Sequence, residues 1–411
     1  MQDPIDPVKL DRLAEVAIRI GLNLQPGQEL ILTAPVGALP LVRRIAEHAY
    51  RAGASLVTPI LSDDAVTLAR YRHARPEAFD AAAGWLYDGM AAGFDAGAAR
   101  LAVTGGDPML LAGEDPDKVS RANRAVARAY SSARDRITRF ATNWTIVAWP
   151  DLAWARLVSP GLDEYAAQRR LAEAIFAASR VDDDSAVANW QAHNAGLGQR
   201  AAWLDGQNFA ALQFTGPGTD LNVGLAEGHK WVAGATETLS GILCNPNIPT
   251  EEVFTTPHRL RVSGQVTATK PLSHMGTLID NIAVRFEDGR ITEARATRGE
   301  AVLHKVLDTD EGARRLGEVA LVPHGSPISQ SGMLFYNTLF DENAASHIAL
   351  GQCYSTCFQG GETMDETEVA RRGGNASAIH IDWMIGSDRV DVDGVTQDGR
   401  RVPVMRKGGW V

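Results

Sequence analysis

The chain has 411 residues, 45% of them hydrophobic and 22% charged, with a formal net charge of -10. That composition belongs to a folded protein with ample core, and the length favours two domains over one. The acidic balance argues against a nucleic-acid partner, which needs a concentrated basic surface, and no run of about 18 apolar residues offers a membrane span.

The opening MQDPIDPVKL has neither a basic n-region nor an apolar h-region, so a secretory leader is not expected. Leu13, Val16, Ala17 and Ile20 then follow the spacing of an amphipathic helix. The turn Gln25-Pro26-Gly27-Gln28 leads into the apolar run Leu30-Ile31-Leu32. A second helix is expected over Leu41, Val42, Ile45 and Ala49, with Gly53 as its C-terminal cap. Further strand-like runs fall at Leu56 to Ile60, Leu101 to Val103 and Ile146 to Trp149, separated by alanine-rich helical segments. Short buried strands alternating with helices predict an N-terminal α/β domain built on a largely parallel sheet.

The pattern changes after about residue 205. Asn281 to Phe286 and Ile291 to Thr297 flank Asp288-Gly289, a pair suited to the positive φ angles of a tight hairpin. Val390 to Val395 and Arg400 to Met405 flank Asp398-Gly399 in the same way. A mainly antiparallel β domain is therefore expected over 206–411, after an α/β domain over 1–205, with the boundary near Asp205-Gly206. No Gly-x-Gly-x-x-Gly follows the first strand and no phosphate loop ends in Gly-Lys-Ser/Thr, so nothing points to a nucleotide. The cysteines Cys244, Cys353 and Cys357 are sparse and odd in number, which fits a reduced, cytoplasmic setting and structural rather than metal-binding thiols.

The residues with chemical potential lie between Pro249 and Asp382. In Ser377-Ala-Ile-His380-Ile-Asp382-Trp-Met-Ile385 the odd positions are apolar, so His380 and Asp382 project together from the other strand face. Such a pair can converge on one cation, or can form a purely structural hydrogen bond. Asp341-Glu342-Asn343-Ala-Ala-Ser346-His347 sets an acid and a histidine where an apolar stretch ends, a pattern that helix capping also explains. Glu318 precedes the strand-like Val319 to Val322, and Glu251-Glu252 precedes Val253-Phe254. Singly, each reads as ordinary surface. Together, carboxylates and imidazoles without a cysteine cluster are the ligand types of hydrolytic two-metal sites. His258, His274, His304 and His324 have no ligand-like spacing and read as ordinary residues.

Several segments, in order, resemble the thermophilic metalloaminopeptidase family that includes aminopeptidases T and S. They are Asn247 to Pro257, Gly317 to Pro323 with Ser326 to Ser329, Gly332 to Gly351, and Gly373 to Gly386, with looser similarity at Gly106-Asp107-Pro108 and Trp144 to Ala155. The resemblance covers nearly the whole chain. It implies a homodimer of two-domain subunits acting on small peptides with a free N-terminus, using two divalent metal ions such as zinc, cobalt or manganese. Carried over position by position, the ligands would be Glu252, Glu318, Glu342, His347, His380 and Asp382; a mechanism built on them has Glu318 bridging the two metals. Glu252 is preferred to Glu251 on a presumed gapless spacing to Glu318. Tyr354 matches a tyrosine beside the metals, where it would bind the oxyanion, and Glu251 is the candidate general base. Two other readings compete. A ring-cleaving non-haem iron dioxygenase would use His347, His380 and Asp382 as a facial set, leaving the glutamates without a task. A non-catalytic peptide-binding relative is the other.

Overall fold

The computed structural model describes residues 3–274 and 277–411. Two compact units emerge, one of residues 1–193 and 235–249, the other of residues 194–234 and 250–411. The chain thus passes between them three times, and the change of pattern near Asp205 falls within the helix Ala186–Gln207. Pattern reports strand type, whereas membership of a unit is decided by packing.

The first unit holds a four-stranded parallel sheet in the order Leu56–Ser62, Glu29–Pro35, Ala99–Thr104, Trp144–Ala148. Its first helix, Pro7–Val16, starts where the Asp6 side chain accepts the backbone N–H groups of Val8 and Lys9. A proline at N1 costs nothing there, because that N–H has no helical partner. Leu10, Leu13, Ala14 and Val16 are buried, and a π-helical segment, Ala17–Leu22, continues the helix to Asn23 at φ 47°. The helix Leu39–Arg51 buries Leu41, Val42, Ile45 and Ala49, as its spacing predicts. On the two central strands Leu30, Leu32, Ala99 and Leu101 are fully buried on one face, and Ile31 on the other packs with Met90, Phe94, Ala133 and Ile137 of the helices Gly84–Asp95 and Pro116–Thr138.

In the second unit an eight-stranded sheet runs Arg290–Arg295, Ala283–Glu287, Pro257–Thr267, Thr219–Leu225, Ala211–Gly216, Asp391–Val395, Arg401–Arg406, Gly409–Trp410. A five-stranded sheet runs His380–Met384, His347–Gly351, Leu316–Leu321, Val253–Thr255, Val232–Ala233. Every described pairing in the two is antiparallel. Both expected hairpins form. In the first, Asp288 and Gly289 take φ 47° and 77°, and a Cβ on Gly289 would sit 1.9 Å from the Arg259 carbonyl oxygen, so only glycine fits.

The two sheets share one apolar core. Phe214, Leu221, Val262 and Val392 enter it from the larger sheet, and Val253, Val319, Ile348 and Trp383 from the smaller. This leaves the other face of the five-stranded sheet for different residues. Among the described residues, no helix is long and apolar enough to cross a membrane.

Candidate metal centre

Strand register assembles the site. Glu318 pairs with Ala349, and Ala349 with Asp382, so these three form one row across the smaller sheet. Ala320, His347 and Met384 form the next row, and Gly351 pairs with His380. Paired residues, and residues two apart on one strand, point to the same face. Glu318, His347, His380 and Asp382 therefore stand together, while Val319, Leu321, Ile348, Leu350 and Trp383 between them enter the core. Ala349 contributes only a methyl between two carboxylates, which leaves room above the sheet.

One irregularity matters. The register shifts between Leu316 and Glu318, with Gly317 at the shift, so Glu318 lies within the strand rather than before it. A Cβ on Gly317 would lie 2.2 Å from the Gln352 carbonyl oxygen, and its absence lets that carbonyl approach. The same carbonyl accepts the His380 Nδ1–H at 2.7 Å. His347 Nδ1 donates in turn to the Ala345 carbonyl at 3.2 Å. Both imidazoles are thereby fixed with Nε2 turned into the site, the arrangement in which neutral histidine offers a lone pair.

What those nitrogens face is carboxylate oxygen. His347 Nε2 is 3.3 Å from Glu252 Oε2, 3.4 Å from Glu318 Oε1 and 3.9 Å from Asp382 Oδ1. His380 Nε2 is 3.4 Å from Asp382 Oδ1 and 3.8 Å from Glu318 Oε2. Two ligand-type groups result: Glu252 with Glu318 and His347, and Glu318 with His380 and Asp382. Glu318 belongs to both, presenting a different oxygen to each histidine.

Two loops bring the remaining acids. Glu252 precedes the short strand Val253–Thr255, in which Phe254 pairs with Ala320 and so shares the ligand face. Glu342 opens the single turn Glu342–Ala344, which follows the short helix Thr338–Asp341. Asp341 is not a ligand-type group of this cluster: its carboxylate accepts the N–H groups of Phe335 at 2.7 Å and Asn337 at 3.0 Å. Burial nonetheless pushes Asp341 up to about 7.

The electrostatics of the cluster are strained in one direction. Burial pushes the Glu318 carboxyl up to about 6, and the charges of Asp382 and Glu252 act the same way against the pull of His347. Burial, then the charges of Glu252 and Asp382, hold Glu342 well above the carboxylate range. For His347, burial favours the neutral ring, but contact with Glu252 and Glu318 outweighs it and raises the group well above its ordinary value. Burial also opposes the charge on His380, yet Asp382 brings it up to about 9. Asp382 itself lies low despite burial, because His380 and His347 stabilise its charge.

These residues fit divalent cations. Four carboxylates confront two imidazoles in a buried place, an excess of negative charge that proteins hold only against counter-charge. Asp382 Oδ1 is buried without a hydrogen-bond partner, which such an oxygen rarely lacks unless an ion or water meets it.

Of the expected site residues, the structure gathers Glu252, Glu318, His347, His380 and Asp382, with Glu342 close enough to feel the charges of Glu252 and Asp382. Tyr354 stands beside them, its ring centroid 4.8 Å from that of His380 and 6.3 Å from that of Phe254. The residue as a whole is 41% exposed, but burial at its hydroxyl and the charges of Glu318, Asp382, Glu342 and Glu252 hold that group protonated, well above the ordinary range. Glu251 is buried next to Glu252, where its N–H donates to Asn343 Oδ1 at 2.7 Å and its charge acts on Arg200. Cys353 and Cys357 are buried free thiols that burial pushes up, Cys353 to about 11. His258, His274, His304 and His324 join neither group among the described residues.

Two residues outside the expected set also support the site. Gln352 holds His380 through its carbonyl and the N–H of Ser377 through its side chain at 3.0 Å. Asp310 anchors the approach to the His380 strand, accepting from Ser377 Oγ at 2.8 Å and from the Ala378 N–H at 2.7 Å. No local sequence signal marks either, since their partners lie far along the chain.

Comparison with known proteins extends the geometry. A family model described as thermophilic metalloprotease (M29) matches residues 7–410. The chain is 56% identical over 402 residues to aminopeptidase T of Thermus thermophilus, covering 98% of each. It is 44% identical to aminopeptidase 2 of Geobacillus stearothermophilus, covering 98% of this chain and 97% of that one. The solved structure of wild-type AmpT from Thermus thermophilus superposes with a TM-score of 0.93, covering 98% of this chain and 99% of that one.

Proposed function

The chain belongs to the thermophilic metalloprotease family M29 and is a metal-dependent aminopeptidase, and we propose that it works with two divalent cations on small peptides. The ligands are Glu252, Glu318, Glu342, His347, His380 and Asp382, and the metals are zinc, cobalt or manganese. One observation supports this reading above the others: Glu318 directs one oxygen to His347 and the other to His380. A carboxylate shared in this way would hold both cations, one through each oxygen. The alternative of an iron dioxygenase falls with the family membership. Retention of every expected ligand type argues against a non-catalytic relative, which failure to hydrolyse any aminoacyl amide after metal loading would favour.

When bound, a pair of such cations supplies positive charge for the scissile carbonyl and a water acidic enough to attack near neutral pH. The chain's own groups do the rest. Glu318 sets the spacing of the two halves of the site. The Tyr354 hydroxyl, kept protonated by the carboxylates around it, donates to the oxyanion that develops on the carbonyl; such donors are worth ~10² to 10³ in rate. Glu251 takes a proton from the attacking water and returns it to the leaving amine. The carboxylates that ring the site are acceptors for the free α-amine, whose recognition makes an exopeptidase. A homodimer and a cytoplasmic setting complete the proposal, the latter supported by three unpaired cysteines.

Metal analysis of the purified protein, with a panel of dipeptides and aminoacyl anilides, tests this. Two ions per chain are expected, with activity lost to a chelator and restored by zinc, cobalt or manganese. A single ion at full activity overturns the dinuclear reading.

A further inference from the structure

Asn343 is fully buried, and its amide is used at both ends. Oδ1 accepts the Glu251 N–H at 2.7 Å. Nδ2 donates to the Leu339 carbonyl at 3.1 Å and approaches Glu342 Oε1 at 3.4 Å. The Asn343 carbonyl accepts from Ser326 Oγ at 3.1 Å. A backbone donor at one end and a backbone acceptor at the other fix which way the amide lies.

These contacts have a direction. Glu252 and Glu342 are the two acids of the cluster that strand pairing does not place: Glu252 precedes its strand, and Glu342 opens a single helical turn. Glu318, His347, His380 and Asp382 are held by the ladder itself. The amide of Asn343 links the Glu251-Glu252 backbone to the turn that carries Glu342, 92 positions along the chain from Glu251. We infer that Asn343 is a positioning residue for one of the two cations: the one whose sphere includes Glu252, Glu318 and His347. The other, among Glu318, His380 and Asp382, does not depend on it.

This inference rests on the dinuclear reading, and its test separates the two. Metal-free protein is titrated with Co(II) alone, followed by calorimetry and by visible absorption, which reports coordination geometry ion by ion. Wild-type protein takes up two ions; uptake of fewer sinks the dinuclear reading and not merely this extension of it. Asn343→Ala takes up one ion as the wild type does and the other ~10- to 100-fold more weakly, the usual loss when a supporting hydrogen bond goes. Asn343→Asp keeps an acceptor for the Glu251 N–H but sets an oxygen against Leu339 O and Glu342, and loses the same ion. Two ions bound with unchanged affinity, or both weakened equally, overturn the assignment. So does failure of both variants to fold, since the residue would then serve the fold at large.

Discussion

The parallel sheet of the first unit and the five-stranded sheet of the second solve the same problem in opposite ways. The first puts apolar residues on both sides of its central strands, with Leu30, Leu32, Ala99 and Leu101 buried on one side and Ile31 packed against Met90 and Phe94 on the other. The second gives one face to the core and the other to four carboxylates and two imidazoles, together with the loops that meet it. A sheet covered on both faces is stable and chemically silent. A sheet covered on one can carry a reactive row at no cost in register, because alternation separates the two tasks. The comparison predicts that substitutions in the first unit change stability alone, and that substitutions on the charged face change function alone.

The largest effect is expected at Glu318. Glu318→Gln should lower kcat/KM by more than the ~10- to 100-fold typical of losing a supporting contact, and should leave fewer than two ions per chain by metal analysis. Its metal-free form should melt no lower than metal-free wild type, because a buried carboxylate already pushed up to about 6 is replaced by a neutral amide. A large drop in that melting temperature would erase the contrast between the sheets.

Phe94 makes the reciprocal case. It packs with Ile31, Met90, Ala98, Ala133 and Ile137 in the first unit. Phe94→Ala should cost about 3–5 kcal/mol of stability by denaturant titration, through lost burial and the cavity left behind. The folded fraction should bind metal as wild type does. Altered stoichiometry would show that the units are not separable in this way.

The smallest effect sharpens the comparison inside the second unit. The N–H of Ala378, the Ser377 hydroxyl and the N–H of Ala313 hold the Asp310 carboxyl below the usual range. A carboxyl depressed on folding stabilises above its unfolded pKa of about 3.9, and that contribution disappears as pH falls through the lower folded value. Wild type should therefore lose more stability than Asp310→Asn between about pH 5 and 3, with little difference at pH 7 in the slope. Parallel melting curves across that range would remove Asp310 from the support of the His380 strand.

Much of this fold is periodic enough to read from residues alone. The helix over Leu41 to Ala49, the hairpin at Asp288-Gly289 and the shared face of His380 and Asp382 are local patterns, and the structure contains each of them. The proposed ligand set as a whole rests on family resemblance, because nothing local distinguishes Glu252 from Glu251. They differ in contacts made far along the chain: the Glu251 N–H donates to Asn343 Oδ1, while Glu252 Oε2 lies 3.3 Å from His347 Nε2. The place of Glu318 inside its strand was not visible either, since Leu316-Gly317-Glu318 breaks the alternation at the shift in register. Segment 235–249 packs with the first unit for reasons of contact, not composition.

Gly317 carries a consequence beyond its strand. The side chain it lacks is the volume into which the Gln352 carbonyl settles, and that carbonyl decides which nitrogen of His380 keeps its proton. An omission in one strand thus dictates the bonding readiness of an imidazole in another. Adding one methyl group there should turn a histidine away from the cluster without replacing any of the proposed ligands.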